Sequence, residues 1–176
     1  RDILFFFAGG LRLHQLRYSM GVRQEIWNTL REEEGFKVVQ RSDNTPRDFS
    51  SSVFCLAPTG SGWGIRTAQV MVHGCIPVII QPHIHQPFDD IIPYWKFSVS
   101  IHKEQVKDLP QILRSIPPEV VASMQVEVGR WHRAFFWHPG YGVAYEYTLI
   151  SLARKVPAVS HRTGHPPGGK MPLVEA

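Results

Sequence analysis

Cysteine and long apolar runs are both scarce in this 176-residue chain. The longest wholly apolar stretch near the start, Ile3–Ala8, falls far short of the ~20 residues that cross a bilayer. No membrane span is therefore expected within the chain. Two cysteines, Cys55 and Cys75, are too few for a disulfide scaffold, and neither has a Cys-x-x-Cys partner for zinc. Each sits in an apolar, strand-like context, which favours buried small hydrophobes. A disulfide is geometrically open if the two strands are neighbours, and sequence leaves that choice open. Charge is sparse at 19%, and the lysines and arginines behind the net +4 are scattered, so the basic stripe of a nucleic-acid face is missing. No initiator Met precedes Arg1, which leads directly into a strand-like run. That start reads as a fragment of a longer chain, with any targeting segment upstream.

What remains is 43% hydrophobic content over one domain's length, which is globular composition with a full core. The hydrophobic period gives a strand at Ile3–Ala8, then Gly9 and Gly10, then a helix from about Met20 to Glu34 closed by Gly35. A second strand, Phe36–Gln40, leads through a polar turn and a short helical segment near Arg47–Ser51 to a third strand, Val53–Ala57. Pro58 and three glycines precede a helix from about Ile65 to His73, ended by Gly74. A fourth strand, Ile76–Ile80, reads as covered on both faces. Phe97–Ile101 reads as a fifth strand, and helical pattern resumes at Leu109, with a long helix from Pro118 towards Trp137 and a last one over Val143–Lys155. This alternation predicts an α/β fold, a doubly wound parallel sheet of Rossmann-like type over residues 1–155. Residues 156–176, with Pro166, Pro167, Gly168 and Gly169, read as a disordered tail.

In an open parallel sheet, ligands bind beyond the carboxyl ends of the strands, and there the glycines fall. Gly9-Gly10 follows the first strand, and Thr59-Gly60-Ser61-Gly62-Trp63-Gly64 follows the third. Glycines let backbone amides approach a ligand, and a helix starting near Gly64 or Ile65 aims its free N–H groups at an anion. Arg66 lies in that first turn, and no acidic residue occurs between Phe49 and Phe88 to neutralise it. Its guanidinium can give a phosphate two parallel hydrogen bonds, and Gln69 lies one turn on, on the same face. No Gly-Lys-Ser/Thr follows, so this is no Walker loop. It is also a poor dinucleotide fingerprint, because only Asp43, in a turn, lies after the second strand.

Several segments in order carry a resemblance: Phe54-Cys55-Leu56-Ala57-Pro58-x-Gly60, Arg66-x-x-Gln69, Gly74-Cys75-Ile76-Pro77-Val78-Ile79-Ile80, Pro87-Phe88-x-Asp90 and Phe97-Ser98-Val99. With Phe6-Phe7-Ala8-Gly9-Gly10 and the late helix carrying Ile112, Leu113 and Met124, the pattern resembles the exostosin family, glycosyltransferase family 47, over about residues 1–150. The resemblance implies half of a two-domain GT-B glycosyltransferase of inverting type. This chain would be the carboxyl-terminal half, which binds a nucleotide sugar, usually a UDP-sugar, for transfer to a glycan or glycoprotein acceptor. The acceptor domain and general base would lie in a missing amino-terminal half. The parent protein would be membrane-anchored in the Golgi lumen, and no cofactor or metal is implied beyond the donor substrate.

Carried over residue by residue, Pro58, Gly60, Ser61, Gly62, Gly64 and Arg66 hold the diphosphate, Gln69 the ribose, and Gly9 and Gly10 the sugar side. Arg23, near a helix start, resembles a family phosphate contact, and a solvated helix face explains it equally well. The family usually has Glu where Gln69 stands and often Asp where Pro82 stands. These departures support a second expectation, a non-catalytic nucleotide-sugar-binding or partner-binding remnant. No catalytic residue is assigned. His83 and His85 read as loop histidines at a ligand rim, since no third metal ligand adjoins them. The aromatics Trp131, Phe135, Phe136, Trp137 and Tyr141 read as core packing between the last helices.

Overall fold

The computed structural model describes residues 1–15, 17–61, 65–81 and 83–163, with side chains to residue 156. Gly62, Gly64 and Pro82, each named above, lie outside the described residues, as does the expected tail from residue 164. The packing divides the chain into two compact units. The larger comprises Arg1–Gln86 and Pro93–His132, and the smaller comprises Pro87–Ile92 and the chain from Arg133 onward.

The larger unit is built on five parallel strands, β1 (Ile3–Ala8), β2 (Phe36–Val39), β3 (Ser52–Pro58), β4 (Ile76–Ile80) and β5 (Val99–Ser100), in the order β2-β1-β3-β4-β5. Consecutive phenylalanines Phe5, Phe6 and Phe7 are all buried, as is every residue of β4, so both faces of the sheet are covered. Helices α1 (Val22–Leu30), α2 (Thr45–Ser51), α3 (Arg66–Val72), α4 (Leu109–Arg114) and α5 (Pro118–Trp131) supply that cover. The order places functional loops: from β1 the chain winds through α1 to β2, whereas from β3 it winds the other way through α3 to β4. The loops after β1 and β3 therefore part over the sheet centre, which is the switch point where such sheets bind ligands.

The strands of the sequence reading stand, with end shifts, while several helices differ. Helix α1 stops at Leu30 rather than Glu34, because Glu32, Glu33 and Glu34 would put three carboxylates at the negative end of its dipole. Glu33 instead pairs with Arg114 at 2.8 Å. Helix α5 ends at Trp131, short of Trp137, where the chain tightens into a 3-10 turn, His132–Phe135, and the carbonyl of Arg133 accepts from both Phe136 and Val143 while that of Phe136 accepts from Ala144. The fifth strand shrinks to Val99–Ser100. Phe97 and Ser98 are drawn into a turn in which both backbone amides and the Ser98 hydroxyl bond the carbonyl of Tyr94.

Cys55 and Cys75 are joined in a disulfide, with Cα atoms 5.9 Å apart, which replaces the favoured reading of two buried thiols. The pairing of β3 with β4 sets Phe54 beside Ile76 and Cys55 beside Pro77, so Cys75, just before β4, lies two register positions from Cys55 and bridges to it diagonally. Gly74 makes the approach possible. Its φ of +68° lets its own amide and that of Cys75 turn back to the carbonyls of Met71 and Val70, closing α3 in a Schellman motif.

In the smaller unit, Phe88 packs on Phe135 and Tyr147, with ring centroids 6.5 and 5.9 Å apart, and the Ser151 hydroxyl donates to Asp90 at 3.0 Å. Its helix α6, Ala144–Thr163, continues past the expected end at Lys155, carried on by the strong helix formers Leu152, Ala153, Arg154 and Lys155. The expected aromatic core is only partly built: Trp137 and Tyr141 are exposed, and Trp131 turns its indole N–H to Glu127 within α5. Among the described residues no helix is long and apolar enough to cross a membrane.

Candidate functional site: an arginine-lined mouth over strands β1 and β3

The loop after β1 is tied to the end of β3 by buried polar contacts. The Ser19 hydroxyl donates to the carbonyl of Thr59 at 2.8 Å, and the Ser19 amide donates to the carbonyl of Gly60 at 3.0 Å. Arg23, in the first turn of α1, completes the tie: its Nε donates to the Thr59 carbonyl and its Nη1 to the Gly10 carbonyl, both at 3.2 Å. Gly9 makes room for it. A Cβ at Gly9 would come within 3.1 Å of the Phe7 ring and 3.3 Å of the Arg23 guanidinium, tighter than side chains tolerate without shifting.

Arg66 opens α3 beside this tie. Its guanidinium lies 5.8 Å from the centre of the Phe49 ring, and Phe49 in turn stacks on His73 at 5.5 Å. Burial, and after it the charge of Arg23, holds Arg66 below its ordinary pKa. Burial likewise lowers Arg23, partly offset by Tyr18 and reinforced by Arg12. Both guanidiniums stay protonated at neutral pH. Neither forms an ion pair with a carboxylate among the described residues. Two half-buried cations that repel each other and lack a counter-charge are costly unless an anion joins them.

Arg66 and Gln69 line a cavity of about 540 Å³ with Gly9, Phe49, Arg41 and Ser42 among the other walls. Its outer wall is the β2–α2 loop, pinned by Asp48. That buried carboxylate accepts from Lys37 at 2.7 Å and from Ser42 at 2.6 Å. Burial opposes its ionisation, but these bonds outweigh burial and hold its pKa below the ordinary value. Asn44 caps α2 through the amide of Arg47 at 3.1 Å.

The structure thus brings Gly9, Arg66 and Gln69 into one cavity and sets Gly10 and Arg23 beside it. Pro58 is buried at the end of β3, opposite Ile80 of β4, and lines neither of the cavities described. Ser61 lines a second cavity, with residues of the β1–α1 loop. Sequence reading missed Tyr18, Ser19, Thr59 and Phe49. One signal was available for the loop: no acidic residue occurs between Asp2 and Glu25, the same absence that drew attention to Arg66. His83 and His85 are exposed on the loop after β4. That loop is anchored by Gln81, whose side chain donates to the Ala57 carbonyl at 2.9 Å and accepts from Gln86 at 3.1 Å.

Known proteins resemble this chain over most of its length. The model of the Exostosin GT47 domain matches residues 1–116. A protein of Oryza sativa subsp. japonica named as a probable glucuronosyltransferase is 35% identical over 148 residues, covering 80% of this chain and 35% of that protein. One of Arabidopsis thaliana named as a probable beta-1,4-xylosyltransferase is 34% identical over 146 residues, with the same coverage. Another, from Physcomitrium patens and named as a probable glucuronosyltransferase, is 33% identical over 146 residues, 80% of this chain and 32% of that protein. The chain therefore spans about a third of the length of the curated relatives it matches.

Proposed function

This chain belongs to the exostosin family, glycosyltransferase family 47, and on that premise we propose that it holds the nucleotide end of a sugar donor, a UDP-sugar, for transfer to a glycan or glycoprotein acceptor. The observation that carries this reading is the pair Arg23 and Arg66, half-buried at the switch point and without an ion-paired carboxylate among the described residues. A diphosphate supplies the missing charge. Gln69, one helical turn beyond Arg66 on a wall of the same cavity, reaches the ribose hydroxyls. When the bond to the anomeric carbon breaks, the departing UDP gains negative charge, and preorganised guanidiniums stabilise that charge without rearranging. The acceptor cleft and the general base are assigned to the part of the relatives' length that this chain does not span.

The buried Cys55–Cys75 bridge suits an oxidising compartment, and with the family it supports a luminal, Golgi location. A second reading, nucleotide-sugar binding without catalysis, rests on Gln69, an amide where the family carries a carboxylate. Arg66→Ala tests the donor reading. Losing a charged hydrogen bond, the variant should bind UDP more weakly by about 1.5–3 kcal/mol, while uridine, lacking phosphates, hardly changes. Equal losses for UDP and uridine in calorimetry would place Arg66 away from the phosphates.

A further inference from the structure

Ser19 is wholly buried, at 0% exposed, and each of its polar groups is bonded. Its hydroxyl donates to the Thr59 carbonyl at 2.8 Å and accepts from the Thr59 hydroxyl at 3.3 Å. Its amide donates to the Gly60 carbonyl at 3.0 Å, and its own carbonyl accepts from the amide of Val22, the first residue of α1. One residue therefore joins the start of α1 to the loop between β3 and α3. Arg23, next after Val22, meets the same Thr59 carbonyl, and its guanidinium lies 4.9 Å from the centre of the Tyr18 ring. The turn that makes these contacts is strained: Ser19 and Met20 have φ of 56° and 49°, left-handed values that glycine adopts at far lower cost. Serine at such a position is informative, because its hydroxyl is what glycine would lack.

We propose that Ser19 is a positioning residue for the phosphate end of the donor: it bolts the Arg23-bearing start of α1 to the loop that leads to Arg66, so that both guanidiniums stand in place before a diphosphate arrives. The proposal rests on the donor reading. Arg23 and Arg66 open different helices, and the charge of Arg23 lowers the pKa of Arg66, so the empty mouth is pushed apart by its own cations. Without a bolt, binding must first draw the two helix starts together, and affinity falls with the fraction of molecules already in the competent arrangement. The Ser19 bonds to Thr59 and Gly60 are made between neutral groups of the chain itself. They therefore hold against that repulsion whether or not the mouth is filled.

Two variants separate the hydroxyl from the strain. Ser19→Gly removes the hydroxyl and relaxes the left-handed turn, whereas Ser19→Ala removes the hydroxyl and keeps the strain. In calorimetry on the full chain, both variants should bind UDP about fivefold or more weakly and uridine unchanged, although Ser19→Gly melts at a higher temperature than Ser19→Ala. Because Ser19 acts through Arg23, the loss should nearly vanish when Ser19→Gly is made in an Arg23→Ala chain, which a double-mutant cycle reads directly. Should Ser19→Ala misfold, Ser19→Gly and the cycle carry the test. The proposal is overturned if Ser19→Gly leaves UDP affinity unchanged, if UDP and uridine weaken alike, if UDP affinity follows melting temperature across the variants, or if the full loss recurs without Arg23. An unaltered chain that binds no UDP would remove the donor reading. Inorganic pyrophosphate bound with the same dependence on Ser19 would then still support the bolt, and no binding of pyrophosphate would overturn it as well.

Discussion

Gln69 departs most informatively from the family pattern, and it lies on the wall of the 540 Å³ cavity with Arg66. A carboxylate there accepts two charge-assisted hydrogen bonds from a ribose diol, whereas an amide offers one acceptor oxygen. Gln69→Glu should therefore tighten UDP binding by about 1 kcal/mol, the difference between charged and neutral hydrogen bonds. The gain should vanish with the 2′,3′-dideoxy nucleotide, because Arg66 keeps the new carboxylate ionised but no diol remains to donate. Weaker UDP binding, or an equal gain for the dideoxy analogue, would mean that position 69 does not face the ribose. At this scale the sequence revealed the residues marked by local chemistry. Gly9 and Gly10 follow an apolar run, Arg66 opens a helix in an acid-free stretch, and Gln69 follows one turn on. Ser19, Thr59 and Phe49 were not legible, because their roles depend on bonds and ring contacts between loops far apart in sequence, such as the 2.8 Å bond from Ser19 to Thr59.

Among the elements, strands were the most legible, because β1, β3 and β4 are nearly continuous apolar runs that a sheet covered on both faces requires. Helix ends were less so. The end of α1 is set by repulsion between its dipole and Glu32–Glu34, and α5 gives way at Trp131 to the 3-10 turn His132–Phe135, neither of which a hydrophobic period records. The β2–α2 loop is an element held by charge, and it walls the cavity that Arg66 and Gln69 line. Asp48 has a folded-state pKa below its ordinary value. Its stabilising contribution is therefore present above the unfolded pKa, near about 3.9, and is lost as pH falls through the lower folded value. Urea midpoints should drop across that acid window, and Asp48→Asn should cost about 1.5–3 kcal/mol at pH 7 while flattening the acid-dependent loss. An acid profile unchanged by Asp48→Asn would show that the Lys37–Asp48–Ser42 contacts do not hold the loop.

For the whole molecule, the doubly wound sheet was legible in the alternation of strands and helices, but the strand order that puts the switch point between β1 and β3 was not. Order depends on which side of β1 each crossover takes, and no local pattern encodes it. The Cys55–Cys75 bridge was likewise an open choice in sequence, because it depends on β3 lying beside β4. The division into two units follows from the short Pro87–Ile92 segment packing with the chain from Arg133 onward, a pairing distant in sequence. On the proposed reading, the switch-point mouth takes a short diphosphate rather than a dinucleotide, since no acid follows β2 in the position that grips a dinucleotide's ribose. The most direct measurement is a calorimetric titration of the full chain with UDP and, separately, with NAD. Saturable one-to-one binding of UDP, with NAD binding much more weakly or not at all, is the predicted result; NAD bound more tightly than UDP, or no binding of UDP, would contradict it.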